Sequence, residues 1–451
     1  MKTVIIIGGG AAGAMLAAQI VEKDDARSQR VVLIERAKVF GRGAAYTSQP
    51  FPYLLNATVG AMSIRPEDPH DFLKFLQTRD PATQPSDFVT RERFGDYVEA
   101  RIRHIAEQHP ERLTLLQGEA MDVSRDENRA TWRVSLQCGR QLYAETVVLA
   151  TGCPAAAVPD IARESAGSLF SDPWNPHHTG PQARSVLILG SGLTMVDTVC
   201  ALVAAEPERP IDVLSRRGLL PLDQSDLSPT PHADLTLQNH LAKSASLRAI
   251  ARSVIAIGRQ VARDGGDWRN VVTTVRQAAP SLWQRLSLDE RRRFLRHLRP
   301  YWDIHRHRCP ARVVRLLESL RSRGVLRIHA GRIDALRRDE RGIEALYRPR
   351  GSERLERLHV DRAFNCIGPD YDLKNAADAL WSALLERGVA VQDALRLGVE
   401  TDERGALIDA AGESVTGLYC FGPLRRARLW EVTAIAELRT DAARLAAHIQ
   451  G

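Results

Sequence analysis

The sequence lacks closely spaced cysteines. No two of its six cysteines form a C-x-x-C pair, which argues against a disulfide framework, a zinc site and a redox-active dithiol. We therefore expect no bound metal, and we interpret most of these side chains as small buried apolar groups. The six are Cys138, Cys153, Cys200, Cys309, Cys366 and Cys420.

Long apolar runs are also missing. No run approaches the roughly 20 residues that a membrane helix needs. No basic and then apolar leader precedes the first predicted strand, which starts almost at Met1. These absences predict a cytoplasmic protein that makes no membrane contact.

Lysine-rich tails are absent although the formal net charge is +7. The positive charge is almost all arginine, spread along the chain and interleaved with Asp and Glu. A nucleic-acid-binding surface usually concentrates basic residues on one face or tail. The charge pattern therefore argues against nucleic acid and favours a basic pocket for a phosphorylated cofactor.

What the sequence does have is a β-α-β pattern at its start, with the glycine loop Gly8–Gly13 between a β-branched strand and an apolar helix. The loop fits G-x-G-x-x-G, whose glycines allow a tight turn, close approach of a pyrophosphate and helix–strand packing. Glu35 ends the next strand, where a carboxylate accepts hydrogen bonds from an adenosine ribose. The FAD contacts predicted in this unit are Gly8, Gly10, Ala11, Ala12, Gly13, Glu35 and Arg36.

A second glycine loop, Gly190-Ser191-Gly192, again separates an apolar strand from a helix, with Met195 in place of a third glycine. The following strand ends at Ser215-Arg216-Arg217 and not at an acid. Hydroxyl and guanidinium donors suit a 2′-phosphate, whereas a free 2′-hydroxyl favours a carboxylate. The pattern predicts NADPH over NADH, unless the two arginines form only a solvated turn. The predicted contacts are Gly190, Gly192, Leu193, Thr194, Ser215, Arg216 and Arg217.

Two dinucleotide units predict an α/β protein with two Rossmann-like domains, in which FAD occupies the N-terminal one. Glycine turns at Ala150-Thr151-Gly152 and Gly422-Pro423 let the chain pass close to that cofactor. A helix from about Thr433 would direct its positive N-terminus at the reduced flavin. Further predicted FAD contacts are Arg42, Asn56, Val123, Thr151, Gly152, Gly368, Gly422, Pro423 and Thr433.

The pattern along the chain predicts three parts. We expect single strands over Leu113–Val123 and Gln141–Leu149, and an arginine-rich helical block from about residue 235. The predicted parts are an FAD-binding domain (1–180 and 367–451), an NAD(P)H-binding domain (181–234 and 324–366) and a helical insertion (235–323).

Several stretches carry a resemblance to a known family. They include Gly41-Arg42-Gly43-Ala44-Ala45-Tyr46, Gly192-Leu193-Thr194-Met195-Val196-Asp197, Trp302-Asp303-Ile304-His305-Arg306-His307-Arg308 and Leu429-Trp430-Glu431. Together they resemble the bacterial FAD-NAD(P)-binding proteins of the YdhS type, over nearly the whole chain. The resemblance implies the two-dinucleotide fold, FAD and a nicotinamide nucleotide, but no substrate. More distantly, the chain is similar to class B flavin monooxygenases, including the amino-acid N-hydroxylases.

One stretch departs from the related monooxygenases. Baeyer–Villiger enzymes carry a Phe-x-Gly…His fingerprint before their second glycine loop, and this chain has Phe170-Ser171-Asp172-Pro173-Trp174 there. The difference argues against that subclass. It leaves N-hydroxylation or another flavin reaction open.

Catalytic candidates are few, because a flavin carries the chemistry itself. Asn56 lies in the irregular stretch after Glu35, where flavin-facing residues usually fall in this fold. His305 and Arg308 would share a helix face if their segment is helical. His305 and Arg306 would then hold an anionic substrate or supply a proton. The alternative is a charged helix that packs across the nucleotide domain.

Three functions fit these features. The main hypothesis is an NADPH-dependent flavin monooxygenase that hydroxylates a small polar substrate, such as an amine, through a flavin C4a-(hydro)peroxide formed with molecular oxygen. The second is an NAD(P)H-dependent flavin reductase or dehydrogenase without oxygen insertion. The third is a flavin-bearing binding or sensing protein, which the long helical insertion suggests.

Overall fold

The computed structural model describes residues 1–24, 28–165, 169–174, 183–224, 230–232, 235–244, 246–375 and 378–451. Its described part contains two sheets with parallel cores, each covered by helices or smaller sheets, and a separate block of helices. The predicted α/β class with two Rossmann-like units is confirmed.

The strands are numbered along the chain. They are β1 Lys2–Ile7, β2 Gln29–Glu35, β3 Leu113–Gln117, β4 Ala120–Asp126, β5 Thr131–Leu136, β6 Gln141–Ala144, β7 Thr146–Leu149, β8 Phe170–Ser171, β9 Val186–Leu189, β10 Ile211–Ser215, β11 Asp223–Gln224, β12 Cys309–Pro310, β13 Leu326–Asp339, β14 Gly342–Pro349, β15 Glu356–Val360, β16 Arg362–Asn365, β17 Ala406–Ile408 and β18 Ser414–Cys420.

The helices are numbered in the same way, with a π-helical turn at Phe294–Leu298. They are α1 Ala11–Lys23, α2 Gly43–Tyr46, α3 Asp71–Gln77, α4 Arg91–Gln108, α5 Leu193–Ala205, α6 Leu235–Lys243, α7 Leu247–Arg263, α8 Trp268–Arg285, α9 Leu288–Arg293, α10 Arg299–Arg306, α11 Ala311–Ser322, α12 Ala379–Glu386, α13 Arg426–Leu429 and α14 Ile435–Gln450.

The first sheet has the strand order β17-β18-β7-β1-β2-β3. Its strand β1 pairs in parallel with both β2 and β7. Val4, Ile5 and Ile6 are fully buried, as expected for a strand that is covered on both faces. Helices α1, α4 and α14 cover one face, and the small sheet β4-β5-β6 with α12 covers the other.

The second sheet has the strand order β15-β14-β13-β10-β9-β16-β8. Its strand β9 pairs in parallel with β10 and β16, which repeats the arrangement around β1. Helices α5 and α11 pack on one face through residues such as Met195 and Leu317. The hairpin β13–β14 closes the core of the other face.

The helical block contains α6 to α10 and has its own apolar core. That core includes Leu397, Ala427 and Trp430, which follow the second sheet in sequence. The insertion therefore packs against the C-terminal part of the chain.

Four segments differ from the sequence-based expectations. The strand predicted at Gln141–Leu149 divides at Glu145, because β6 pairs with β5 whereas β7 pairs with β1. The strand predicted at Leu113–Val123 divides at Gly118, whose N–H donates to Glu35 O (2.9 Å). Helix α11, which the predicted limits assign to the insertion, packs on the second sheet. Strand β8 likewise pairs with β16 of the second sheet, although it lies within residues 1–180.

Candidate functional site

The first glycine loop follows β1 at the edge where the parallel strands end. Gly8 has φ +107°, and a Cβ there would collide with the carbonyl oxygen of Ala150. A Cβ on Gly13 would collide with the carbonyl oxygen of Gly8, since α1 turns tightly against β1. Both positions therefore need glycine, as the motif predicts.

Helix α1 begins at this loop without a side-chain cap from the described residues. Its N-cap is Gly10, and its first turn has no acid. The N–H groups of Ala11 and Ala12 lie in that turn, where a helix dipole favours an anion. The loop thus has the geometry that binds a pyrophosphate.

Glu35 is fixed against the same loop. Its Oε2 accepts from Gly9 N at 2.8 Å, and its Oε1 accepts from Ala37 N at 3.0 Å. The carboxylate therefore stands beside the loop at the end of β2, which is the position predicted for a ribose contact. Arg36 follows it and is exposed.

Arg42 pairs with two carboxylates of helix α4. Its Nε donates to Glu99 at 2.7 Å, and its Nη2 donates to Asp96. These bonds occupy the guanidinium, so a phosphate contact from Arg42 would have to compete with two carboxylates. The next residue, Gly43, approaches Gly10 closely. A Cβ on Gly10 would lie only 3.3 Å from Gly43 Cα.

The chain returns to the loop at two further glycine turns. Thr151 Oγ1 accepts from Trp381 Nε1 at 3.1 Å, and Gly152 has open space beside it. Gly422 has φ +93°, and a Cβ there would lie 3.8 Å from Ala12 Cβ. The structure therefore brings the Gly422 turn to the start of α1.

Two predicted positions flank this turn. Pro423 begins a buried 3-10 turn directly after Gly422. Helix α14 begins at Ile435, two residues after Thr433, and no side chain of a described residue caps its N-terminus.

The remaining predicted FAD contacts are more dispersed. Val123 is fully buried in the core, and its carbonyl accepts from Arg387 Nη2 at 2.8 Å. Asn56 is half-buried in the irregular stretch before α3. Gly368 has φ +102° and open space beside it, at the end of the second sheet.

The second glycine loop repeats the geometry of the first. Gly190 has φ +95°, and a Cβ there would collide with the carbonyl oxygen of Cys366, just as Gly8 abuts Ala150. A Cβ on Gly192 would meet nothing within 4 Å. Leu193 and Thr194 begin helix α5, whose N-cap Gly192 receives no side-chain hydrogen bond from a described residue.

The turn after β10 holds the predicted 2′-phosphate donors. Ser215 Oγ accepts from Ser191 Oγ at 2.9 Å and from Gly218 N at 3.0 Å. Arg217 donates to Tyr301 Oη at 3.4 Å and to Arg296 O at 3.2 Å, which ties it to the helical block. Arg216 is exposed and forms no ion pair within the described ranges.

The prediction for His305 and Arg308 is wrong in one respect. Helix α10 ends at Arg306, and Arg308 leads into β12, so the two side chains do not share a helix face. His305 Nδ1 lies 2.7 Å from Tyr301 O, and its ring packs edge-on against Trp268 at 5.2 Å. The helix ends early because β12 must pair with β11 of the nucleotide unit.

A buried group of charges lies beneath α10, and sequence reasoning missed most of it. Glu431 is 6% exposed and accepts from Arg306 Nε and from Trp302 Nε1, both at 2.9 Å. Glu437 in the first turn of α14 lies 3.6 Å from Arg306 Nη2 and also pairs with Arg276. A sequence feature that pointed to this group was the stretch Leu429-Trp430-Glu431, which supplies its buried carboxylate Glu431.

His307 adjoins this group and stays neutral. Burial, together with the nearby Arg306 and Arg426 guanidinium groups, lowers its pKa to about 3. It therefore cannot act as a cation near pH 7.

Comparison with known proteins gives one family match. Residues 5–154 match a family model described as FAD-NAD(P)-binding. No curated protein matches the chain. The matched segment contains the first glycine loop and Glu35, so this third of the chain is similar to FAD-NAD(P)-binding proteins.

Solved structures with low sequence identity share the fold of the whole chain. The FAD-bound cadaverine monooxygenase from Erwinia amylovora has a TM-score of 0.68 at 14% identity, covering 99% of this chain and 93% of that one. The Kutzneria sp. 744 ornithine N-hydroxylase, solved with reduced FAD, NADP⁺ and L-ornithine, has a TM-score of 0.65 at 14% identity, covering 100% and 99%. The bacillithiol disulfide reductase from Staphylococcus aureus has a TM-score of 0.56 at 13% identity, covering 100% and 98%. The same fold thus serves different chemistries.

Among the described residues, no helix is both long enough and apolar enough to cross a membrane.

Proposed function

We propose that this protein is an FAD-dependent, NADPH-using monooxygenase that hydroxylates a small amine-type substrate with molecular oxygen. The observation that carries the proposal is the pair of matched glycine loops, Gly8–Gly13 and Gly190–Gly192. Each loop follows a parallel strand, abuts a backbone carbonyl and leads into a helix without a side-chain cap from the described residues. One dinucleotide at each loop gives the chain both a hydride donor and a flavin.

The residues of the first loop fit FAD. The N–H groups of Ala11 and Ala12 would bind its pyrophosphate, and the Glu35 carboxylate would accept from its ribose. Gly422 would let the chain pass close to the cofactor, and the α14 N-terminus would face the flavin. When bound, FAD supplies the redox and oxygen chemistry.

The residues of the second loop fit NADPH. The N-terminus of α5 would bind the pyrophosphate, and Ser215 with Arg216 would bind the 2′-phosphate. Arg217 would contribute less, because its guanidinium already bonds the helical block.

The proposed catalytic residues differ in whether their side chains already form hydrogen bonds within the protein. Asn56 accepts and donates no side-chain hydrogen bond within the described ranges, so we propose that it faces the flavin or the substrate. Arg306 is held by Glu431, and the His305 ring is held by Tyr301 and Trp268. We propose that these two are positioning residues.

The amine-type substrate rests on fold likeness. The two amine-hydroxylating relatives have TM-scores of 0.68 and 0.65, whereas the disulfide reductase has 0.56. A reductase without oxygen insertion is the second candidate. It would have to pass electrons to an external acceptor, because all six cysteines are free and none lies near another in sequence.

We also propose the domain limits given above, with one refinement. The FAD domain would contain the first sheet with β4-β5-β6 and the C-terminal helix, and the NAD(P)H domain would contain the second sheet with α5 and α11.

An anaerobic stopped-flow experiment tests the function. The yellow protein is reduced with NADPH and then mixed with oxygenated buffer. We expect NADPH to bleach the flavin absorbance, and a near-UV absorbance to persist for seconds after mixing and to decay faster with an amine substrate.

Each other outcome has a distinct meaning. Immediate return of the oxidised flavin spectrum, with hydrogen peroxide released, would replace the monooxygenase by the reductase. A protein that NADPH and NADH both fail to bleach would contradict both enzymes. A colourless chain that cannot be loaded with FAD would overturn the cofactor assignment.

A further inference from the structure

The helical insertion surrounds a cavity of about 620 Å³, and of the residues assigned to the proposed reaction His305 lines it. Helices α7, α8 and α10 form its walls. Protein interiors rarely leave voids larger than a water molecule, whereas ligand pockets occupy roughly 300–1,000 Å³. The cavity therefore has the size of a site for a small organic molecule.

The lining of this cavity is aliphatic and aromatic. Trp283, Phe294 and Trp430 pack together at one part of it, with ring centroids 4.8 to 5.8 Å apart. Among the described lining residues, Asp223 is the one acid, and its carboxylate pairs with Arg269. The cavity thus offers no free carboxylate for the ammonium group of a diamine or an amino acid.

Helix α7 fills little of the cavity that it lines. Of its residues only Ile250 is buried, although Val254 and Ile255 line the cavity beside it. Gly258 lies in the middle of the helix, where glycine lowers stability relative to alanine. A Cβ at Gly258 would meet nothing within 4 Å. No neighbour requires this glycine, so its effect is to enlarge the cavity.

The outer face of α7 is strongly basic. Four exposed arginines recur at spacings of 4, 7 and 4 residues, which places them within about 60° of arc on an α-helix. The helix contains no acid, and none of the four forms an ion pair within the described part of the chain. One of them, Arg259, lines the cavity itself. The four are Arg248, Arg252, Arg259 and Arg263.

We propose that this cavity binds a small amphipathic anion, with its aromatic or hydrocarbon body among the tryptophans and its anionic end at the arginine stripe of α7. Apolar walls favour the body by removing it from water. The unpaired arginines favour the anion at the mouth. The proposal concerns binding and does not depend on which reaction the flavin performs.

Calorimetric titration of the FAD-loaded full chain tests whether the cavity binds the apolar body of the ligand. The probe is 8-anilinonaphthalene-1-sulfonate, which has an aromatic body and one anionic group. We expect one saturable site, which Gly258→Phe weakens about tenfold or more by filling the cavity. Gly258→Ala adds only a methyl group to the same helix position and should change the Kd less than about twofold.

Folding is checked on every variant by thermal unfolding. If Gly258→Phe does not fold, Ala251→Phe fills the same cavity from two turns earlier in the helix. Unchanged probe affinity in a folded filling variant would overturn the proposal.

A comparison of a charged probe with a neutral one tests whether the arginines of α7 bind the anionic end of the ligand. Replacing Arg248, Arg252 and Arg259 together with Gln should weaken the sulfonate probe about tenfold. The same variant should bind the neutral N-phenyl-1-naphthylamine as the wild type does. Arg93→Gln, at an exposed arginine of α4, is the matched control. Equal losses for both probes would remove the anion from the proposal.

A basic amphipathic helix can also lie on an anionic membrane surface. Cosedimentation with phosphatidylglycerol vesicles distinguishes this case. A chain that sediments with the vesicles, and whose probe affinity Gly258→Phe leaves unchanged, would assign the apolar face of α7 to lipid and overturn the cavity site.

Discussion

At the scale of single residues, we propose that the turn after β10 selects the nicotinamide nucleotide. Ser215 Oγ is held by Ser191 and Gly218, so it stands at the strand end as a fixed hydroxyl. The two arginines that follow are not equivalent. Arg217 bonds Tyr301 and the carbonyl of Arg296, whereas Arg216 is exposed and has no ion-pair partner within the described ranges. Arg216 is therefore the residue available to a 2′-phosphate.

Replacing Arg216 with Ala should raise the KM for NADPH about tenfold or more. A hydrogen bond to a charged group contributes about 1.5 to 3 kcal/mol, and 1.4 kcal/mol corresponds to a factor of ten. The KM for NADH should change less than about twofold, since NADH lacks the phosphate. Steady-state oxidation of both nucleotides measures the effect.

Arg217→Ala is the matched control for this turn. It should affect the two nucleotides alike and lower the stability of the protein, because Arg217 connects the turn to the helical block. Equal effects of Arg216→Ala on NADPH and NADH would show that the turn does not select the phosphate.

At the scale of elements, the sequence predicts features whose causes are local. The loops at Gly8 and Gly190 were predictable because a tight strand-to-helix turn requires positive φ and backbone contact at neighbouring positions. The division of the predicted strand Gln141–Leu149 could not be predicted from the sequence, because it depends on which strand pairs on each side of Glu145. Helix α10 ends where β12 meets β11, a pairing between residues distant in sequence.

The buried charges beneath α10 illustrate the same limit. Arg306 and Glu431 are 125 residues apart in the chain, yet they pair at 2.9 Å with side chains 10% and 5% exposed. No local pattern predicts that partnership. The residue beside Glu431, Trp430, has φ +59° and stacks on Trp283 at 4.8 Å, so packing against the insertion holds a strained backbone here.

Replacing Glu431 with Gln should destabilise the fold by about 3 kcal/mol. The amide oxygen can still accept from Trp302, but the Arg306 guanidinium loses the nearer of its two counter-charges and keeps Glu437 at 3.6 Å. Breaking a buried pair costs about 3 to 5 kcal/mol, and the remaining carboxylate places this loss at the lower end. Urea unfolding of the two proteins measures the difference. Glu413→Gln, at an exposed position, is the control and should change stability by less than about 0.5 kcal/mol. If Glu431→Gln lowers the free energy of unfolding no more than the control does, the buried Arg306–Glu431 pair does not stabilise the fold as proposed.

At the scale of the whole molecule, an ion pair joins the two nucleotide units. Arg91 at the start of α4 donates from Nη2 to Asp197 on α5 at 2.7 Å, and from Nε to Leu54 O at 3.2 Å. Both charged side chains are mostly buried, at 18% and 13% exposure. Burial raises the pKa of Asp197 to about 6, against the opposing effect of Arg91. The contact between the units is therefore sensitive to pH.

The expected pH dependence follows from this raised pKa. The folded protein binds the Asp197 proton more tightly than the unfolded chain, whose carboxyl has the ordinary pKa near 3.8. The stabilising contribution of protonation is thus complete below about pH 4 and is lost as the pH rises through about 6. Asp197→Asn removes this dependence and keeps an acceptor for Arg91. The free energy of unfolding of the wild type, minus that of the variant, should fall by about 3 kcal/mol between pH 4 and pH 7.

Urea unfolding of both proteins at several pH values measures this difference, with Asp289→Asn at the surface as the control. Because the pair joins the units, the variant should also keep them together at pH 7 at least as well as the wild type does, as limited proteolysis would report. A difference that stays constant from pH 4 to pH 7 would mean that Asp197 titrates at its ordinary pKa. The Arg91 guanidinium would then balance the effect of burial at this contact, and the two units would be joined by a charged pair at pH values above the ordinary carboxyl pKa of 3.8.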